Sequence, residues 1–193
     1  MPIALNTVLI LLLSINSFSQ NNIIKIAESY LSKDFNNLLF VSIENQKLYH
    51  IKKNTVVNSF IISSSEYGIG NRSGSNKTPI GLHRVKQKYG KNTPINGRLT
   101  GRVFYGEISK IYKDTTRSQT DDITSRILWL EGMEAGINKG KGIDSYERYI
   151  YIHGTSEEGR LGTPSSHGCI RMRNKDIINL YKTVEVGTLV LIL

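Results

Sequence analysis

The sequence predicts a mainly β domain, a sandwich or barrel with helices at its margins. Short runs rich in Val, Ile, Phe and Tyr are separated by breaks of turn length, which is typical of a succession of strands. Apolar residues at helical spacing occur only near the two ends of the chain. The 193-residue chain has the length expected for one hydrophobic core.

The first 19 residues have the pattern of a secretory signal peptide. An apolar run from Ile3 to Ile15 is followed by small residues at Ser17 and Ser19, which predicts cleavage before Gln20. The run is shorter than the roughly 20 residues that span a bilayer, although a retained membrane anchor is the alternative. We expect an exported protein of the periplasm or cell wall, with no stable membrane span after cleavage.

A helical segment over 20–37 precedes the strands, because apolar residues recur at helical spacing from Asn22 to Phe35. A meander of three strands is then predicted at Leu38–Ile43, Lys47–Ile51 and Thr55–Ser63. The later predicted strands are Leu82–Gln87, Arg102–Tyr105, Arg126–Leu130, Tyr149–His153 and Thr188–Leu193. A closing helix is predicted at Lys175–Thr183, with Asn174 as its N-cap.

Two polar stretches interrupt the strand pattern. The glycine-bearing loop at 63–77 does not end in Gly-Lys-Ser/Thr and no helical pattern follows it, which excludes a phosphate-binding loop. Residues 107–145 are polar and glycine-rich, and a linker, a lid or an ordinary insertion all fit them. Trp129 and Tyr105 could stack on sugar rings, although aromatic residues of a β domain are also typical of its core.

The net charge of +9 comes from 25 basic and 16 acidic residues. The basic residues are scattered, with no basic helix or arginine-rich arm, so no nucleic-acid partner is predicted. Outside the cytoplasm, an anionic wall or membrane surface is the expected partner of such a charge. Solubility alone is the other explanation. Nothing in the sequence indicates an oligomeric state.

The single cysteine, Cys169, cannot close an internal disulfide, and in an oxidising compartment it is a liability unless the protein uses it. Ser166-His167-Gly168 precede it, and His153 ends a predicted strand. The twelve residues between His153 and Ser166 include Gly and Pro and can bring that imidazole to the thiol. A neighbouring imidazolium would lower the thiol pKa and favour the nucleophilic thiolate. An inert buried cysteine is the alternative.

Gly168 suits such a site, because a side chain there would crowd the substrate and the backbone N–H groups that could hold an oxyanion. A zinc site is not predicted: His-Gly-Cys is a cramped spacing for two ligands, and no Cys-x-x-Cys accompanies it. His50 and His83 are expected to be ordinary strand residues. We therefore predict no metal and no cofactor.

These residues resemble the catalytic domain of the L,D-transpeptidases (YkuD type). The resemblance rests on His153-Gly154-Thr155, on the run from Gly162 to Met172, and on Thr78-Pro79-Ile80-Gly81. It implies an L,D-transpeptidase (YkuD-like) catalytic domain over 38–193, a β-sandwich or barrel with marginal helices and an insertion at about 107–145.

The resemblance implies peptidoglycan cross-linking, with tetrapeptide stems as donor and acceptor. Cys169 would attack the third residue of the donor, expel D-Ala and form a thioester, which an amine of another stem would take as a 3→3 cross-link. His153 would move the proton, although His167 is also plausible for that role. His167 and Gly168 would shape the oxyanion site and orient the thiol. The assigned substrate and oxyanion residues are Gly154, Thr155, Ser166, Gly168 and Arg171.

Some assignments stay open on sequence grounds. Arg171 could pair with a stem carboxylate or form a structural salt bridge beneath the loop. Hydrolysis by an L,D-carboxypeptidase or endopeptidase would use the same thioester with water as the acceptor. A non-catalytic wall-binding protein is the remaining alternative. The resemblance also implies that carbapenems acylate Cys169.

Overall fold

The computed structural model describes residues 22–31 and 35–193. The predicted signal peptide at 1–19 lies outside the described residues. Within the described ranges, no helix has the length and apolar character needed to cross a membrane.

Helix α1 covers 22–31, inside the segment predicted as helical. The strands are β1 Asn37–Ser42, β2 Lys47–Lys52, β3 Thr55–Ser63, β4 Gly81–Tyr89, β5 Gly97–Thr100, β6 Val103–Ile108, β7 Ile123–Gly132, β8 Tyr151–Thr155, β9 Ile170–Met172 and β10 Leu189–Ile192. A single 3₁₀ turn at Glu158–Arg160 precedes β9, and helix α2 covers Asn174–Thr183.

The strands form one ten-stranded sheet in the order β4-β10-β1-β2-β3-β9-β8-β7-β5-β6. An additional β4–β7 pairing closes eight of these strands into a barrel-like ring, and the β5–β6 hairpin extends from it. Most neighbours are antiparallel, but β8 and β9 are parallel, as are β1 and β10. The mainly β prediction with helices near both ends is confirmed.

Two short strands, β5 and β9, have no counterpart among the predicted strands, because three or four residues are too few to display a period of two. The Asn174 N-cap prediction is wrong. Asn174 is the first residue of α2 and follows the cap position at Arg173. The side chain of Glu158 accepts the Asn174 backbone N–H instead (2.9 Å), so a tertiary contact replaces the local cap.

The stretch 107–145, expected as an insertion, contains β7, which pairs with both β4 and β8. Trp129 lies on β7 and is 5% exposed, in a cluster with Tyr151 and Leu99, whereas Tyr105 on the β5–β6 hairpin is 77% exposed. Trp129 is therefore a core residue, which was one of the two roles that the sequence left open for it. His50 and His83 lie within β2 and β4, as the sequence predicts.

The two faces of β8 and β9 have different surroundings, and this alternation positions the site. Ile152, Ile170 and Met172 point into the main core, where they pack with the inner face of α2. Tyr151 and Cys169 belong to a second cluster on the opposite face, with Trp129. Because one face of this strand pair is buried in the core, the alternate residues of β8 and β9 lie on the opposite face.

Candidate active site

Cys169 lies immediately before β9 and is partly buried. Because Ile152 pairs with Ile170, Cys169 stands opposite Tyr151, whose backbone N–H donates to the sulfur (3.3 Å). The thiol donates to the carbonyl oxygen of Tyr149 (3.4 Å), so the sulfur is held in its protonated form between two backbone groups. Tyr149 has φ of +57°, a left-handed conformation that turns this carbonyl toward the thiol.

His153 lies on β8 two residues beyond Tyr151, on the same face of the sheet as Cys169. Its ring is buried, and Nδ1 is 2.7 Å from the carbonyl oxygen of Gly154. A carbonyl only accepts hydrogen bonds, so Nδ1 carries the proton and donates. In the neutral ring, Nε2 is then the basic atom that can accept a proton.

The two groups are both neutral in the resting protein. Burial raises the pKa of the Cys169 thiol to about 12. The hydrogen bond from the Tyr151 N–H and the charges of Arg171 and Arg148 lower this pKa, but burial has the larger effect. Burial lowers the pKa of His153 to about 4, although the Gly154 carbonyl and Asp121 favour its protonated form. The expected thiolate–imidazolium pair is therefore not the resting state. A neutral imidazole can still accept the thiol proton during the reaction.

His167 occupies a different environment from His153. Its side chain is 45% exposed, and Nδ1 donates to Asp121 Oδ2 (2.8 Å) while the ring packs against Tyr67. Its Nε2 is 3.7 Å from Glu66 Oε1. His167 is therefore oriented by two carboxylates at the rim of the site, whereas His153 lies inside the sheet.

Arg171 is 1% exposed, and two carboxylates engage its guanidinium. Nη1 donates to Glu157 Oε2 (2.9 Å) and Nη2 contacts Asp121 Oδ1 (2.5 Å). Burial alone would raise the pKa of Asp121, but Arg171 and the hydrogen bond from His167 hold it below its ordinary value. These contacts match the salt bridge that the sequence left open, and they leave this cation no exposed face for a substrate.

Asp121 belongs to a segment, residues 114–122, that we call the strap and that contacts both His167 and Arg171. Its neighbour Ser118 donates through both its backbone N–H and its hydroxyl to Glu157 Oε1 (2.7 and 2.8 Å). Arg117 forms an ion pair with Glu66. The strap therefore connects the carboxylates around His167 to those around Arg171.

Ser166 and Gly168 shape the turn that carries the thiol. The Ser166 hydroxyl donates to the carbonyl of Cys169 (2.6 Å) and accepts the Gly168 N–H (3.2 Å). Gly168 has φ of +125°, which L side chains rarely adopt. Its N–H is thus already bonded, and the contribution of this glycine is its backbone conformation.

Thr78, from the Thr-Pro-Ile-Gly motif, holds the same turn from the other side. It is buried, accepts the Ser65 N–H (2.9 Å) and donates to the carbonyl of Gly168 (3.0 Å). In a trans peptide the C=O and the following N–H point in opposite directions. The Cys169 N–H therefore points away from Thr78.

Gly154 and Thr155 are both buried, whereas a residue that binds substrate needs an exposed surface. A Cβ on Gly154 would stand 2.6 Å from both Asn174 Oδ1 and the Thr124 carbonyl oxygen, so glycine permits close packing there. Thr155 is fully buried, and its hydroxyl accepts the Glu157 N–H (3.1 Å). Both residues support the strap and α2.

A groove of about 220 Å³ lies near the thiol, although its lining does not include Cys169 or His153. Its lining includes Tyr149, whose carbonyl accepts the thiol, together with His167 and Arg148. Arg148 is partly buried, and its charge lowers the thiol pKa. Sequence reasoning did not identify Arg148, Asp121 or the contact made by Thr78. The Thr-Pro-Ile-Gly motif was a signal for Thr78, but Arg148 and Asp121 occupy polar stretches without a recognisable pattern.

A cysteine and a neutral histidine on one face of a closed sheet, beside a groove, define a candidate site for cysteine-dependent acyl transfer. Comparison with protein families matches residues 36–192 to the L,D-transpeptidase catalytic domain, YkuD. The chain belongs to this family.

Individual relatives agree with this membership. The chain is 31% identical over 142 residues to "Probable L,D-transpeptidase YbiS" of Escherichia coli (strain K12), a match that covers 72% of this chain and 45% of that protein. It is 48% identical over 52 residues to YqjB of Bacillus subtilis (strain 168), covering 27% of this chain and 28% of the relative. The chain thus spans less than half the length of these curated relatives.

A solved structure shares the fold. The L,D-transpeptidase (residues 123–326) from Xylanimonas cellulosilytica DSM 15894 superposes with a TM-score of 0.51 at 18% sequence identity. The superposition covers 83% of this chain and 62% of that chain. At this identity the comparison establishes the fold alone.

Proposed function

We propose that this protein is an exported peptidoglycan L,D-transpeptidase that forms 3→3 cross-links through a thioester on Cys169. The observation that carries the proposal is that Cys169 and His153 share one face of the parallel β8–β9 pair, with a groove lined by Tyr149, whose carbonyl oxygen contacts the sulfur. Membership of the YkuD family supports peptidoglycan stem peptides as the substrate class. The net charge of +9 supports a role at an anionic wall.

In the first half-reaction, the Cys169 sulfur attacks the carbonyl carbon of the third residue of a donor tetrapeptide. Nε2 of His153 takes the thiol proton, because Nδ1 is already protonated and bonded to Gly154. The Cys169 N–H, which points away from Thr78, donates to the developing oxyanion. The C–N bond to D-Ala then breaks, the imidazolium protonates the leaving amine, and a thioester remains.

In the second half-reaction, a neutral side-chain amine of another stem attacks the thioester carbonyl. His153 accepts a proton from this amine and returns it to the departing sulfur, which restores the neutral pair. His167 orients the turn that carries the thiol through its bond to Asp121. In this assignment His153, and not His167, moves the proton, because His153 is buried on the sheet face that carries Cys169, whereas His167 is 45% exposed.

The test is to incubate purified protein with disaccharide-tetrapeptide and to analyse the products by mass spectrometry. Dimers that have lost one D-Ala support cross-linking, and Cys169→Ala should abolish them. His153→Gln should reduce their rate by about 100-fold or more, whereas His167→Asn should retain more activity. Tripeptide monomers alone would assign the chain to the L,D-carboxypeptidases instead.

A carbapenem offers a second readout that needs no acceptor. We expect a covalent adduct on intact Cys169 and none on the Cys169→Ala variant, measured as the intact protein mass. If neither stem peptides nor a carbapenem modify the wild-type thiol, the protein is not an acyl-transfer enzyme, and a non-catalytic wall-binding role remains.

A further inference from the structure

We propose that the groove near Cys169 is the subsite for the terminal D-residue of the donor stem. In this proposal Arg148 binds the free carboxylate of that residue. This inference rests on the proposed function, because it names how the same site recognises the residue that leaves. It assigns to Arg148 the carboxylate contact that the sequence had offered to Arg171.

Arg148 is held in place by the backbone. Its Nη1 donates to the carbonyl of Gly70 (3.2 Å) and its Nη2 to the carbonyl of Lys77 (2.6 Å). A guanidinium has five N–H donors, so the two bonds orient the group and leave further donors for a ligand. Within residues 22–31 and 35–193, no salt bridge joins Arg148 to a carboxylate, in contrast to Arg171.

The position of the groove relative to the sulfur suits a leaving residue. Arg148 directly precedes Tyr149, whose carbonyl oxygen is 3.4 Å from the Cys169 sulfur, and both residues line the groove. The groove volume of about 220 Å³ is sufficient for one small residue. Its lining also includes the polar residues Ser73, Asn76 and His167, together with Ile150.

The charges that line the groove favour binding of an anion by Arg148. Glu147 is the one acidic residue of the lining, and it is exposed. Partial burial of Arg148 lowers its pKa through desolvation, and the nearby Cys169 raises it. An unpaired and partly desolvated guanidinium is stabilised by a carboxylate, which it can bind with two parallel hydrogen bonds.

Arg102 is the competing cation. It lies at the β5–β6 hairpin, donates to the Tyr151 hydroxyl (3.2 Å) and packs over the Trp129 ring at 4.6 Å. The aromatic face already occupies this guanidinium, and Arg102 is not among the residues that line the groove. The geometry therefore favours Arg148 as the residue that binds the carboxylate. Arg102 supplies a matched control.

The experiment compares two donors, a disaccharide-tetrapeptide with a free terminal carboxylate and the same compound with a terminal amide. The rate of thioester formation on Cys169 is followed by intact mass. For wild-type protein we expect the amide to react about 10- to 100-fold more slowly, the range of a charge-assisted hydrogen bond. Arg148→Gln keeps hydrogen-bond donors for Gly70 and Lys77 but removes the charge. It should slow the free acid to the rate of the amide, so that discrimination falls to about onefold.

Arg148→Lys, which keeps the charge, should retain part of the discrimination, and Arg102→Gln should retain all of it. Equal slowing of both donors by Arg148→Gln would show that Arg148 only holds the loop, and would overturn the proposal. Equal rates of the two donors with wild-type protein would overturn it as well, while leaving the transpeptidase function intact. Loss of discrimination in Arg102→Gln alone would assign the carboxylate to Arg102. A wild-type protein that reacts with neither donor would instead refute the proposed function.

Discussion

At the residue scale, the proposed chemistry depends on which atoms of Cys169 and His153 carry protons before a substrate binds. Gly154 fixes the proton of His153 on Nδ1, and Tyr149 accepts the proton of the Cys169 thiol. Burial opposes charge on both side chains, since it raises the pKa of the thiol to about 12 and lowers that of the imidazole to about 4. The site therefore holds a neutral nucleophile and a neutral base on one face of the sheet.

This resting state predicts how the thiol reacts with a simple alkylating agent. The rate of iodoacetamide modification of Cys169 should rise about tenfold per pH unit from pH 7 to 9 without a plateau, because only the small thiolate fraction reacts. The modification is measured by intact mass, and Cys169→Ser provides the unreactive control, since Cys169 is the single cysteine. A plateau below pH 8 would contradict a neutral resting pair.

At the element scale, the parallel β8–β9 pair separates the functions of successive residues. Ile152, Ile170 and Met172 anchor the pair in the core, while His153 and Cys169 use the opposite face. The bond network of Asn174 attaches β8 to α2, because its amide donates to the Thr155 carbonyl (2.9 Å) and its Oδ1 accepts the Thr124 hydroxyl (2.7 Å). Only glycine fits at position 154, because this network occupies the space that a side chain would need.

Gly154→Ala should therefore destabilise the protein. The new Cβ would meet two oxygen atoms at 2.6 Å, one of them in the backbone of β7, so strands must move apart. We expect a loss of about 1–3 kcal/mol in the free energy of unfolding, measured by urea denaturation.

Gly70→Ala is the matched control for this change. Its Cβ would meet the flexible Lys77 side chain at 2.9 Å, which can move, and its φ lies outside the left-handed region. A stable Gly154→Ala protein with normal acylation would show that the strand pair tolerates the methyl group and that the packing explanation is incorrect.

At the scale of the whole molecule, closure of the ring by β4 and β7 buries polar side chains along with the core. His83 on β4 is fully buried, with Nδ1 bonded to the Gly81 carbonyl (2.9 Å) and Nε2 to the Ser145 hydroxyl (2.9 Å). Burial lowers its pKa to about 4, as it does for His153. These rings are neutral in the folded chain over a range in which an unfolded chain protonates them.

Stability should consequently fall as the pH is lowered from about 6.5 to about 4. In that window the unfolded chain binds protons that the folded chain does not, so the free energy of unfolding rises with pH. Each buried ring should contribute a loss of about 1–2 kcal/mol between pH 7 and pH 5, measured by urea denaturation. His83→Gln should show a shallower pH dependence. A free energy of unfolding that is unchanged between these pH values would refute the lowered pKa values.

The sequence by itself determined the class of fold and most of the strands, and it identified the residues of the proposed site. Those signals are local: a period of two in the strands, helical spacing near the ends, and His153 and Cys169 within recognisable motifs. The predicted strand Tyr149–His153 was displaced by two residues from the observed strand Tyr151–Thr155, because element ends depend on tertiary contacts.

Only the tertiary structure decided the electrostatics of the site. Arg171 is buried between Glu157 and Asp121, so the cation that the motif offered to substrate is already paired. Arg148 and Asp121, which belong to polar stretches without a pattern, reach the site through tertiary contacts, Arg148 with Gly70 and Lys77 and Asp121 with His167 and Arg171. Charge pairing and desolvation depend on distances between residues far apart in sequence, and local periodicity contains no information about those distances.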